Sequence, residues 1–262
     1  MKLGRFAKAL GPIVAVALAA GISGCDGANV SINGEDGQRL SDLDLSGAPP
    51  EELVLLGPDE VRITQGDKLA ITVEGDAAAT DKLRFTLKDG TLGILREGKM
   101  FNRDGGQAAI VNVTMPAPRE VTMAGSGKIS AAALAKAATV TIAGSGTIET
   151  TALASDSLEL TIAGSGDYRA AGNVQRLDMT IAGSGSAQMD ALKADRAKLS
   201  IAGSGSAAFA SDGEVNASIM GSGSVTVRGR AKCTVEAMGS GKLVCEPGNG
   251  SAPPAPEPEK VG

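Results

Sequence analysis

Along the second half of the chain apolar and polar residues alternate in short runs, as in Leu158-Glu159-Leu160-Thr161-Ile162, Leu177-Asp178-Met179-Thr180-Ile181 and Val215-Asn216-Ala217-Ser218-Ile219. A period of two predicts strands with one buried face. Each run leads into the tripeptide Gly-Ser-Gly, which begins at Gly125, Gly144, Gly164, Gly183, Gly203, Gly221 and Gly239, with spacings of 19, 20, 19, 20, 18 and 18 residues. Such a step is too short for helix-pair repeats and suits one turn of a solenoid, each repeat being a coil stacked on the last. The pattern therefore predicts an all-β fold, a right-handed parallel β-helix or β-solenoid with about 19 residues per coil.

Stacking the repeats makes columns. Ile142, Ile162, Ile181, Ile201 and Ile219 form an inward one, and Thr141, Thr161, Thr180, Ser200 and Ser218 the matching outward one. Gly-Ser-Gly reads as a corner, since glycine adopts positive φ without a Cβ clash. A second short strand follows each corner, with Ile129, Ile148, Tyr168, Ala187, Ala207, Val225 and Leu243 as its inward members. Residues 53–118 lack the tripeptide but alternate as well, as in Leu69-Ala70-Ile71-Thr72-Val73 and Leu83-Arg84-Phe85-Thr86-Leu87. They are expected to be earlier, irregular coils or a sheet that caps the open end of the solenoid.

Composition fits a thin, repetitive core: of 262 residues 36 are Gly, none is Trp, and aromatic residues make up 2%. Histidine is absent, which removes the commonest general base and zinc ligand and lowers the expectation of an enzyme. The formal charge is −5, so nucleic acid is not an expected partner.

At the N-terminus, Lys2, Arg5 and Lys8 precede a short apolar run from Ala9 to Gly21, interrupted by Pro12 and too short to span a bilayer. The run ends in Ile22-Ser23-Gly24-Cys25, which resembles the lipobox of bacterial lipoproteins. The resemblance implies a signal peptide over 1–24, cleavage before Cys25 and a lipid on its sulfur, holding the protein in the cell envelope on the periplasmic side of the inner membrane or at the outer membrane. The alternative is an ordinary secreted protein with a chance cysteine at the cleavage site. Residues 25–45, rich in Gly, Asp and Ser, read as a tether, 46–246 as the solenoid domain, and the Pro-rich stretch 247–262 as a disordered tail.

The run Val61-Arg62-Ile63-Thr64-Gln65-Gly66-Asp67, then Ile71-Thr72-Val73-Glu74-Gly75-Asp76, then Lys88-Asp89-Gly90-Thr91-Leu92, followed by the Gly-Ser-Gly coils, resembles the putative auto-transporter adhesin head GIN domain, also known as a domain of unknown function. The resemblance covers about residues 50–246. It implies a β-helix-like fold in an exported, often lipid-anchored protein, and it carries no catalytic residues.

Candidate chemistry is sparse. Cys233 and Cys245 fall on inward columns, with Val215 and Val227 respectively, and form either a disulfide across the last coil or two buried free thiols. No histidine is available to activate either thiol. Gly-Ser-Gly-Lys at Gly125–Lys128 and Gly239–Lys242 evokes a phosphate loop, but Ile129 and Leu243 stand where a magnesium-ligating hydroxyl is needed, so no nucleotide is expected. A calcium ladder would need an Asp after each corner, and only Asp167 is so placed, so no metal or other cofactor is expected. Asp167, Tyr168, Arg169, Asp190, Asp195 and Arg196 are the nearest approach to a polar cluster; in β-helices such groups act on polysaccharide, yet here carboxylates do not recur in register at these positions, and a solvated surface is expected.

The function expected is that of a non-enzymatic, lipid-anchored envelope protein presenting a β-solenoid surface for adhesion or for binding polysaccharide or protein. Two alternatives stand beside it: a structural or signalling accessory of the envelope without external ligand, and a carbohydrate-active β-helix enzyme.

Overall fold

The computed structural model describes residues 31–97 and 108–246, and the fold is a parallel β-solenoid. The signal peptide, Cys25 and the tail 247–262 lie outside the described residues. Strand Ala137–Gly144 leads into a corner, and strand Thr147–Gly164 then runs on through a bend into the first strand of the next coil. Asp167–Gly183, Ser186–Gly203 and Ser206–Gly221 repeat the pattern.

The columns expected from alternation are hydrogen-bonded neighbours. Ile142 pairs with Ile162, Ile162 with Ile181, Ile181 with Ile201 and Ile201 with Ile219, all parallel and all buried. The second-strand column runs from Ile129 through Ile148, Tyr168, Ala187, Ala207 and Val225 to Leu243. Register shifts between Thr150 and Leu153, Arg169 and Ala171, and Met189 and Lys193 lie at the bend opposite the corner. The variation in coil length is absorbed there as bulges, which leaves both strands and the corner in step.

The two glycines of each corner serve different needs. The first takes positive φ, 121° at Gly164, and its missing Cβ makes room for a carbonyl of the coil below. The second is not in that region; a Cβ on Gly166 would lie 2.5 Å from Cγ2 of Ile142. The side-chain ladder and a carbonyl of the coil below, 2.8 Å away at Gly166, together exclude a side chain at the second glycine. Backbone N–H groups of the corner bond across coils, Ser165 N to Gly144 O at 2.9 Å and Asp167 N to Gly146 O at 2.9 Å.

At the N-terminal end, strands Glu52–Leu56 and Glu60–Gln65 form a coil in which Gly57-Pro58-Asp59 takes the place of Gly-Ser-Gly. Thr91–Arg96 pairs parallel with Glu52–Leu56, and Ile110–Met115 with Glu60–Gln65, on the side away from the repeat. The second coil in sequence is therefore outermost in space. Antiparallel strands Leu83–Lys88 and Ala70–Glu74 then end the two ladders. Residues 53–118 supply both irregular coils and the cap.

Part of the expected tether is folded. Ser31–Ile32 and Glu35–Asp36 form an antiparallel pair, and Ile32, 1% exposed, packs on Val54, Leu56 and Leu95. These residues lie on the outward side of the first sheet, opposite the main core that contains Leu53 and Leu55. Composition hid this segment because its one anchoring side chain stands among Gly, Asn and Asp.

Candidate functional site

Because the strands are parallel and in register, outward residues stack as strictly as inward ones, about 4.8 Å apart. On the outer face of the first sheet one column runs Glu52, Glu120, Thr139, Glu159, Asp178, Lys198, Asn216. Its neighbour runs Ser157, Arg176, Arg196, Glu214, Lys232. Carboxylates do recur in register, though in the column of Glu159 and Asp178 rather than at the positions expected. The signal was present in the alternation, where Glu159 and Asp178 hold the same place between buried leucine and leucine or methionine.

The face is covered at one end by the hairpin on Val54 and Leu56 and is open over the later coils. There Arg176, Asp178, Arg196, Lys198, Glu214 and Asn216 surround an open depression of 320 Å³, with the backbone of Leu177 and Ala197, whose side chains face the core, between them. Arg176, Arg196 and Lys198 have no ion-pair partner among the described residues. Three cations, two carboxylates and an amide thus line one groove, an arrangement that donates and accepts hydrogen bonds along a polar ligand.

Toward the other end of the column Glu120 is 9% exposed and sits beside Glu52. Burial first, then the charge of Glu52, pushes its carboxyl above the usual glutamate range, with Arg119 opposing. Both oxygens of Glu52 are occupied, one by the Arg119 guanidinium and the other by the Thr91 hydroxyl at 2.7 Å. This pair is tied into the fold and leaves no free acid and base. Among the described residues no group of His, Cys, Asp or Glu is arranged to hold a metal.

The polar residues singled out in the sequence as the nearest approach to a cluster are dispersed. Tyr168 is fully buried, its hydroxyl donating to Thr150 Oγ1 at 3.2 Å. Arg169 donates to Gln188 at 3.3 Å, Asp190 pairs with Arg228 two coils on, and Arg196 joins the groove on another face. Proximity in sequence does not bring these groups together, because the bend between Arg169 and Arg196 sends them to different sides of the coil. The two Gly-Ser-Gly-Lys segments are corners like the rest, and Lys128 lies near Glu149 at 3.8 Å.

Cys233 and Cys245 stack on Val215 and Val227, and a disulfide joins them across the terminal coil, Cα to Cα 6.7 Å. Burial was expected of both, yet Cys233 is only half-buried and Cys245 is exposed. The reason is geometric: this coil is the last of the stack and nothing among the described residues lies on it.

The sequence model of a family described as "putative auto-transporter adhesin, head GIN domain" matches residues 49–231. No curated protein matches the chain. Among solved structures, a putative adhesin from Bacteroides fragilis is 19% identical with a TM-score of 0.63, covering 76% of this chain and 92% of its own. A putative lipid binding protein from Parabacteroides distasonis is 21% identical with a TM-score of 0.59, covering 76% and 93%. A putative adhesin from Parabacteroides merdae is 18% identical with a TM-score of 0.56, covering 75% and 92%. At these identities the likeness is one of fold.

Proposed function

The chain belongs to the putative auto-transporter adhesin, head GIN domain family, and on that premise we propose that it is a non-enzymatic, lipid-anchored envelope protein whose outer first-sheet face binds polysaccharide. The groove carries the proposal. Arg176, Arg196 and Lys198 donate to sugar hydroxyl or carboxylate oxygens, and Asp178, Glu214 and Asn216 accept from hydroxyls. Stacked coils set successive polar groups of the two columns about 4.8 Å apart along the groove. Anchoring rests on Cys25 after a basic flank and a short apolar run.

A glycan array probed with the full chain tests the binding claim. Binding that is lost on Arg176→Glu with Arg196→Glu, in a variant that melts at the wild-type temperature, supports it; an array blank for wild type, or binding indifferent to both changes, rejects it. Mass spectrometry of the chain from the host membrane tests the anchor, which requires a diacylglyceryl adduct on Cys25.

A further inference from the structure

The C-terminal end of the solenoid is unlike the N-terminal end. Strands Lys232–Gly239 and Lys242–Glu246 pair on one side only, with Ser206–Gly221 and Ser224–Arg228 respectively. Each therefore presents a row of backbone donors and acceptors with no strand beyond it among the described residues. At the other end the ladders finish in antiparallel strands, one of them bridged on its free side by Gln38, and none of the exposed large apolar side chains of the described residues lies there. The exposed large apolar side chains of the described residues, Met220, Val235, Met238 and Val244, all lie at the open end, at 51%, 44%, 70% and 45% exposure. Met220 and Met238 are paired neighbours that stand where earlier coils carry Ala143, Ala163, Ala182 and Ala202.

The two edge strands share a charge pattern. Lys232-Cys233-Thr234-Val235-Glu236 and Lys242-Leu243-Val244-Cys245-Glu246 each carry Lys at the start and Glu four residues on. All four charged residues are exposed and have no ion-pair partner among the described residues. An antiparallel pairing of such a strand with its own copy, centred on the middle residue, sets each Lys opposite the other copy's Glu. One axis serves both strands. The disulfide brings Cys233 and Cys245 face to face across the coil, and the strands run in opposite directions from the corner at Gly239, so Thr234 and Val244 also face each other. A two-fold axis passing both, along the sheet normal, aligns Lys232 with Glu236, Lys242 with Glu246, Cys233 with Val235 and Leu243 with Cys245 between the copies.

We infer that the open end binds a second copy of this chain, forming an end-to-end dimer in which both ladders continue across a two-fold axis. The C-terminal stretch is a poor rival for the same place: residues 247–262 contain five prolines, which lack the N–H a ladder requires, and Val261 as their one large apolar residue. An axis along the sheet normal keeps the outer faces of both copies on one side, so dimerisation doubles the length of groove-bearing face available to a polymer.

Sedimentation of the full chain in mild detergent tests the inference. Wild type is expected to dimerise at micromolar concentration. Glu236→Lys with Glu246→Lys sets Lys against Lys at four places and weakens the dimer by about a hundredfold; adding Lys232→Glu and Lys242→Glu reverses every charge and restores it to within about tenfold. A wild type that stays monomeric at about 100 µM, one that dimerises only after residues 248–262 are removed, or a dimer unmoved by the double change overturns it. If the doubly changed chain does not fold, hydrogen exchange of wild type decides: amides in 232–246 must gain protection with rising concentration, and protection independent of concentration overturns the inference.

Discussion

Tyr168 donates its hydroxyl to Thr150 Oγ1 at 3.2 Å, inside a solenoid whose other core positions are almost all aliphatic. The phenol is fully buried, and burial pushes its pKa up to about 12, with the bond to Thr150 opposing. It fills, in one coil, the column that holds isoleucine below and alanine above. The bond explains how the interior accepts two hydroxyls without an orphaned polar group.

Tyr168→Phe leaves the Thr150 hydroxyl without this partner and is expected to cost about 1 kcal/mol. Pairing it with Thr150→Val removes both polar groups and is expected to recover most of that loss, as read from urea midpoints at unchanged slope. A double change that costs the sum of the two singles contradicts the assignment.

The same burial makes an alkaline prediction. A pKa raised in the folded state means the stabilisation is intact below the unfolded value near 10 and is lost as pH rises from there through about 12. In Tyr168→Phe, which has no phenol at this position, the alkaline fall in melting temperature is expected to be shallower. Absorbance at the phenolate band should show little ionisation of native Tyr168, about a tenth, by about pH 11; titration near 10 without unfolding would place the side chain in water.

Glu120 gives the opposite end of the pH scale. Its carboxyl is raised by burial and by Glu52, so the contribution of the protonated form is present below the unfolded pKa and lost as pH rises through the folded one. Glu120→Gln is expected to stabilise the fold at pH 7 by less than about 1 kcal/mol after solvent screening, read as a higher melting temperature, and to leave the melting temperature unchanged at pH 4. Destabilisation at pH 7 would show that the carboxylate is held by attraction instead.

The corner glycines differ in what could rescue them. Gly166→Ala drives a methyl into Cγ2 of Ile142 and is expected to cost about 1 to 3 kcal/mol. Ile142→Ala in the same chain removes that contact but leaves the one with the Gly146 carbonyl at 2.8 Å, so the double change should cost less than the sum while recovering only part of the loss. Gly164→Ala meets backbone of Gly144 at positive φ and has no such partner to shorten; strict additivity at both glycines would contradict the division of roles.

Asp59 closes the first corner. Fully buried, it accepts from Arg96 Nε at 2.9 Å, from the second Arg96 nitrogen and from the Ala109 backbone N–H at 2.8 Å. Asp59→Ala strands the Arg96 cation and is expected to cost about 3 to 5 kcal/mol. Hydrogen exchange should show the loss first in strands Glu52–Leu56, Glu60–Gln65, Thr91–Arg96 and Ile110–Met115, which Asp59 joins, and last in the middle of the repeat.

The repeat was legible because its period is strict: Ile142 through Ile219 mark one inward column, and the Thr and Ser beside them the outward one. What alternation could not show is order in space. Nothing in Thr91–Arg96 says that it stacks outside Glu52–Leu56, because a solenoid strand looks the same whichever neighbour it pairs with. The folding of Ile32 onto Val54 and Leu56 was hidden for a related reason, a single side chain doing the anchoring. The groove was missed because its groups, Arg176, Asp178, Arg196 and Lys198, are ordinary surface residues in sequence and become a site only through register. The exposure of Cys245 follows from which coil is last in space.

All of this depends on register, so the decisive measurement is the distance between outward residues of one column. Spin labels on cysteines replacing Ser218 and, in turn, Thr180, Thr161 and Thr141 lie two, three and four coils apart, so electron–electron distances should rise by about 4.8 Å per coil, from about 10 to 14 to 19 Å between attachment points. Distances that do not grow in equal steps with coil number would contradict the stacked face and every property assigned to it.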